Sequence, residues 1–147
     1  MFMRKIGLML ILMLFGLNVS AQKEKGKKHT EKTTHKIVVQ LSTPDTAAHR
    51  ALTKQLNNLT SVWKDADVVV VVHNRGINML RKNLTNVSKE IEMLSERGVK
   101  FLACEFTLQQ LKIKKDEIVE KAGFTPYGLV EIITRQENGY AYLKGGF

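Results

Sequence analysis

The most nucleophilic group the sequence offers is a lone thiol, Cys104, the only cysteine in 147 residues. It follows the apolar run Val99-Lys100-Phe101-Leu102-Ala103 and precedes Glu105-Phe106-Thr107, a strand passing into a helix. A thiol at a helix start meets free backbone N–H groups and a partial positive charge, both of which favour thiolate over thiol. Thr107, three residues on, is placed to donate a hydrogen bond to the sulfur, whereas Glu105 opposes ionisation. A second cluster, His73-Asn74-Arg75-Gly76, follows five consecutive valines. Within it, His73 can act as proton shuttle or thiolate partner and Arg75 can add positive charge. Ser42-Thr43-Pro44-Asp45 ends another β-branched run and brings Thr43 to the same end of a parallel sheet. These readings leave Cys104 three roles: a packed inert thiol, half of an intermolecular disulfide, or a reactive thiolate.

Convergence of these segments requires strands that all run one way. Ile37–Leu41, Asp67–His73 and Val99–Ala103 have strand composition, and Tyr140–Leu143 closes the series. The valine run suits a strand buried on both faces. Helical spacing recurs between them: Ala48, Leu52, Leu56, Leu59 and Trp63 lie three or four apart, with Asp45 or Thr46 as cap. Val87, Ile91 and Leu94 mark a second helix that starts near Thr85 or Asn86 and stops at Gly98. Phe106–Leu111 and Lys114–Ala122 read as short helices, Gly123–Pro126 as a connection with room for a short strand, and Tyr127–Glu137 as a helix carrying Leu129, Ile132, Ile133 and Gln136 on one side. Alternation of this kind predicts one α/β domain, a three-layer sandwich around a mainly parallel sheet of about five strands. In such sheets, ligands collect beyond the carboxyl ends of the strands.

The beginning of the chain has a different character. Arg4 and Lys5 precede the uncharged apolar run Ile6–Leu17, and Val19-Ser20-Ala21 offers a cleavage site before Gln22. Residues 1–21 therefore read as a secretory signal peptide, too short in its apolar part to span a bilayer. The expected mature protein is periplasmic or secreted, with no membrane span. Residues 22–36 hold six lysines, two glutamates and no large apolar side chain. That composition predicts a disordered Lys-rich spacer, and leaves 37–147 as the folded domain. The formal charge of +9 owes much to this spacer, so the domain itself carries no nucleic-acid signature. His29 and His35 in the spacer do not make a metal site, and no phosphate-binding, dinucleotide-binding, zinc or serine-hydrolase motif occurs. No cofactor and no metal are expected.

Taken in order, the valine strand ending in His73 with Gly76 and Leu80 beyond it, then Gly98–Cys104 with Thr107, then Pro126, Gly128 and Glu131, then Gly139–Tyr142, resemble the DsrE/DsrF-like family of small sulfur-relay proteins. The resemblance spans His35 to Leu143. It implies a flavodoxin-like fold, homo-oligomers that are often trimers or hexamers, and a persulfide-forming role for Cys104 served by sulfur donor and acceptor proteins. His73 would then be its catalytic companion, with Asn74, Arg75, Gly76, Thr107, Glu105 and Thr43 around the site. Two positions depart from the family pattern. Asn74 stands where the family loop, His-Gly-x-Gly, has its first glycine, and Phe106 stands where asparagine is frequent. The alternative to a sulfur carrier is a non-catalytic homo-oligomeric binding module or envelope protein in which the cysteine is structural.

Overall fold

The computed structural model describes residues 34–146. The segment expected to be a signal peptide, residues 1–21, and residues 22–33 of the expected spacer lie outside the described residues. Five strands form one sheet: β1 (Lys36–Leu41), β2 (Asp67–Val72), β3 (Lys100–Cys104), β4 (Ala122–Thr125) and β5 (Ala141–Gly145). Every pairing is parallel, in the order β4-β3-β2-β1-β5. Four α-helices, α1 (Thr46–Val62), α2 (Ser88–Glu96), α3 (Glu105–Leu111) and α4 (Gly128–Glu137), and 3₁₀ turns at Asn74–Leu80 and Lys115–Glu117 complete the flavodoxin-like architecture.

The strand order decides which helix goes where. From β1 through β4 each connection steps to the next strand in one direction. Right-handed crossovers then place α1, α2 and α3 on the same face. The connection from β4 to β5 runs back past the whole sheet, so α4 lies on the opposite face. The two cores follow this division. Val68, Val70 and Val72 join Leu52 and Leu56 of α1, Ile91 and Leu94 of α2 and Leu108 of α3. Val69 and Val71 join Val38 and Ile132 of α4. All five valines of β2 are fully buried, as the uninterrupted apolar run requires of a central strand.

Local signals behave largely as the residues dictate. Asp45 caps α1, its side chain accepting the Ala47 N–H at 2.8 Å. Gly98 follows α2 at φ 91, and its N–H returns to the Ser95 carbonyl at 3.0 Å. The fold starts slightly before the composition break: Lys36 is the first residue of β1, and His35 stacks on Trp63 with ring centroids 3.9 Å apart. Two expectations need correction. The stretch Lys114–Ala122 is not one helix but a single 3₁₀ turn, after which Ile118 packs into the core. The end of α2 nearest Thr85 is capped by no side chain; Val87 is the capping residue and Thr85 Oγ1 only accepts its N–H at 3.3 Å. On α4, only Gly128 and Ile132 are buried, while Leu129 and Ile133 stay more than half exposed. One helix cannot cover a five-stranded face, and its outer side packs on nothing among the described residues.

At the amino ends of the strands a chain of charges ties the layers together. Asp67 of β2 receives Lys100 Nζ at 3.1 Å and the Tyr140 hydroxyl. Arg135 donates to that same hydroxyl at 2.9 Å and to Glu131 at 2.7 Å. Burial raises the Asp67 carboxyl, but the bonds from Tyr140 and Lys100 outweigh it and hold the group below the usual carboxylate range.

Candidate functional site

The carboxyl ends of β3 and β4 are where the chain leaves the sheet toward opposite faces, α3 to one and α4 to the other. Between two such strands a crevice must open. Cys104, the last residue of β3, pairs in register with Thr125, the last of β4, so it stands at the floor of that crevice. It is also the capping residue of α3. Its Sγ accepts the Gly128 N–H, the first of α4, at 3.2 Å, and its own S–H faces the Pro126 carbonyl at 4.0 Å. The sulfur thus sits between the starts of two helices, with only 4 % of the residue exposed.

A cavity of about 290 Å³ opens beside it, lined by His73, Asn74, Phe106, Thr107, Gln110, Tyr127, Leu129 and Val130 along with Cys104 and Gly128. None of these carries a carboxylate, ammonium or guanidinium. The rim is apolar: Phe106, Tyr127, Leu129 and Val130 are all substantially exposed, and the Phe106 and Tyr127 rings lie 5.8 Å apart. Gly128 allows the close packing at the floor. A Cβ there would fall 3.2 Å from His73 Cβ and 3.3 Å from Cys104 Cβ, so any other residue would require these neighbours to shift by a few tenths of an ångström.

His73 is buried, and burial lowers its pKa below the usual histidine value while a hydrogen bond with the Asn74 side chain pulls the other way. The ring is therefore neutral near pH 7. Its Nε2 meets the Gln40 side-chain nitrogen at 2.8 Å. Asn74 adopts φ 48, the left-handed region that glycine enters freely and asparagine tolerates best among the other residues. The departure from the family loop is thus a substitution the backbone accepts.

The other residues expected at the site divide into those that line the cavity and those that shape it from behind. Thr107 lines it, but its Oγ1 accepts the Asn74 N–H at 3.0 Å, so it ties the β2 loop to α3. Gly76 does not line it; its N–H donates to the Ser42 carbonyl at 3.1 Å and holds the same loop against β1. Glu105 is drawn into an ion pair with Lys115. Arg75 is exposed and outside the cavity lining. Thr43 belongs to the β1–α1 loop, where its carbonyl accepts from Nε2 of the buried His49 at 2.9 Å. Sequence reading overlooked Gln110, Tyr127, Leu129 and Val130 as cavity residues, and named Phe106 and Gly128 only through the family resemblance. A glycine directly after Pro126-Tyr127 at a helix start was the available signal. Among the described residues no group of three or more His, Cys, Asp or Glu is placed to hold a metal ion.

The DsrE/DsrF-like family model matches residues 35–144, nearly the whole described domain. The chain belongs to the DsrE/DsrF-like family. Among solved structures it is similar to a protein of unknown function from Methanobacterium thermoautotrophicum, with 26% identity and a TM-score of 0.71, covering 75% of this chain and 98% of that one. A conserved protein of unknown function from Bacteroides thetaiotaomicron shares the fold at 15% identity and a TM-score of 0.60, over 74% of this chain and 93% of that one. No curated protein matches the chain.

Proposed function

We propose that this DsrE/DsrF-like protein is an exported, homo-oligomeric sulfur carrier that holds sulfane sulfur as a persulfide on Cys104. One observation carries the reading: the only thiol of the chain lies at the floor of the single crevice where β3 and β4 send their helices apart, with a backbone N–H aimed at its sulfur. The chemistry is a thiol exchange. The Cys104 thiolate attacks the outer sulfur of a donor such as thiosulfate, an Sγ–S bond forms, the donor S–S bond breaks, and sulfite leaves with the electron pair. The product is a persulfide anion, which needs N–H donors and a sheltered cavity. An acceptor thiolate removes the outer sulfur by the same exchange.

The oligomer has its own support. Tyr127, Leu129, Val130 and Ile133 form an exposed apolar face on α4 and its approach, each more than half exposed, of the kind that marks an interaction surface. Export rests on residues 1–21, and no helix among the described residues is long and apolar enough to cross a membrane.

Burial of Cys104 favours one competing reading, a packed thiol in a non-catalytic binding module. Intact mass spectrometry after exposure to polysulfide or thiosulfate separates the two. A sulfur carrier gains one sulfur atom and the Cys104→Ser variant gains none. A wild-type protein that stays unloaded, with a thiol that resists alkylation until unfolded, would establish the packed thiol instead. Sequencing the N-terminus of protein recovered outside the cytoplasm tests export, with Gln22 expected first.

A further inference from the structure

His73 shares the cavity with Cys104, and the two side chains flank Gly128. What His73 can do there depends on which ring nitrogen carries its proton. That is settled behind the cavity, by two residues that do not line it. Gln40 of β1 places its amide nitrogen 2.8 Å from His73 Nε2. Its Oε1 receives the hydroxyl of Tyr142, on the edge strand β5. An amide has one accepting end and one donating end, and here the accepting end, Oε1, takes the Tyr142 hydroxyl proton. With the Tyr142 proton given to Oε1, the NH₂ end must face the imidazole. An NH₂ group has no lone pair to offer, so Nε2 must be the bare nitrogen that accepts. A neutral ring bare at Nε2 carries its proton on Nδ1, the nitrogen left for the Asn74 side chain.

We infer that Gln40, oriented by Tyr142, is a positioning residue that holds His73 as the neutral Nδ1–H tautomer. The one basic lone pair of the ring is then engaged by Gln40. His73 can donate a hydrogen bond at the cavity wall but cannot take the proton of Cys104. Any deprotonation of the thiol falls to solvent or to the incoming partner, and the role of His73 toward the site is that of a fixed donor. This consequence rests on Cys104 being the reacting group; the tautomer itself does not.

The test is long-range ¹H–¹⁵N correlation of the imidazole rings in uniformly labelled full chain at pH 7.5. His73 is assigned by its absence in His73→Asn. The expected pattern is a protonated Nδ1 and a bare Nε2. In Gln40→Glu, whose carboxylate can only accept, Nε2 should become protonated, with a rise in the His73 pKa. Tyr142→Phe, a milder change at a partly exposed residue, should give a mixture of the two tautomers as the amide becomes free to turn. Retained amide dispersion in both variants shows that they fold. An Nε2–H ring in the unaltered protein overturns the inference, as does an Nε2 that stays bare in Gln40→Glu. The measurement needs no sulfur donor. A failure of Cys104 to load sulfur therefore counts against the sulfur carrier and not against the tautomer.

Discussion

Replacing Gly76 with alanine is the sharpest single test of how the site is supported. A Cβ at this position would lie 2.6 Å from the Leu41 carbonyl oxygen, 2.9 Å from its carbon and 2.9 Å from Ser42 Cα. All three are backbone atoms of the buried end of β1 and its loop, so no rotamer change relieves the overlap. The loop itself must retreat. Retreat stretches the Gly76 N–H bond to the Ser42 carbonyl, now 3.1 Å. Overpacking of this kind costs about 1–3 kcal/mol, and a weakened buried hydrogen bond adds about 1 kcal/mol. The expected loss is about 3 kcal/mol, which for a domain of this size lowers Tm by roughly 10–15 °C. Because the same loop carries His73 and leans on Thr107 through the Asn74 N–H, the cavity wall moves as well. Alkylation of Cys104 under native conditions should quicken several-fold. Gly98→Ala is the control. It meets nothing within 4 Å, and its cost is only the left-handed strain at φ 91, about 1–2 kcal/mol, far from the site. Thermal unfolding by circular dichroism and timed alkylation read both variants. A Gly76→Ala protein that melts within about 2 °C of the unaltered one, or that matches Gly98→Ala in alkylation rate, refutes the close-approach argument.

The β2 loop gives a second backbone test. Asn74→Gly should leave stability within about 0.5 kcal/mol, since φ 48 suits glycine, whereas Asn74→Val should cost about 1–2 kcal/mol in urea unfolding. Acid stability should carry the signature of His73. Its folded pKa is lowered below 6.5, so between that value and the folded one the unfolded chain binds a proton that the native ring refuses, and stability falls as pH drops through this window; above 6.5 the group contributes nothing. Urea midpoints at pH 7.5 and 5.5 should differ in the unaltered protein and converge in His73→Asn. Asp67 titrates in the opposite sense. Its folded carboxyl lies below 3.8, so its contribution is present above that value and is lost as pH falls through the folded one. Tyr140→Phe should raise the Asp67 pKa, seen by carboxyl ¹³C NMR, and cost about 1 kcal/mol at pH 7 for a partly exposed pair.

The sheet was legible because its strands announce themselves in two independent ways. Five valines in a row can be satisfied only by a strand covered on both sides, and the helical spacing on either side of it forces parallel neighbours. The helix ends were legible where a side chain does the capping, as at Asp45, or where a glycine takes a left-handed turn, as at Gly98. They were not legible where tertiary packing overrides local chemistry. The run Lys114–Ala122 has helical composition, yet Ile118 is needed in the core, and the chain gives up helix after one turn to deliver it. The apolar face of α4 was legible as a face, but its exposure was not. Periodicity reports that a face is apolar, not what covers it.

The site divides along the same line. Cys104 and His73 were legible because each ends a strand, and the ends of parallel strands must meet. Apart from Asn74 beside His73, their partners were not, because they are distant in sequence. The N–H that reaches the sulfur comes from Gly128, 24 positions on, and the amide that reaches His73 comes from Gln40, 33 positions back. Thr107, at a spacing that promised a bond to sulfur, spends its oxygen on the Asn74 N–H instead. The expected helpers of the thiol therefore act one step removed. Thr107 and Gly76 hold the loop, the loop holds His73, and Gln40 with Tyr142 sets its proton. Direct contact with the sulfur is left to backbone groups, the Gly128 N–H and the Pro126 carbonyl. A backbone donor neither titrates nor rotates away. Mutation at Thr107 or Arg75 should consequently change the reactivity of Cys104 less than mutation at Gly128, whose side chain contributes nothing except its absence.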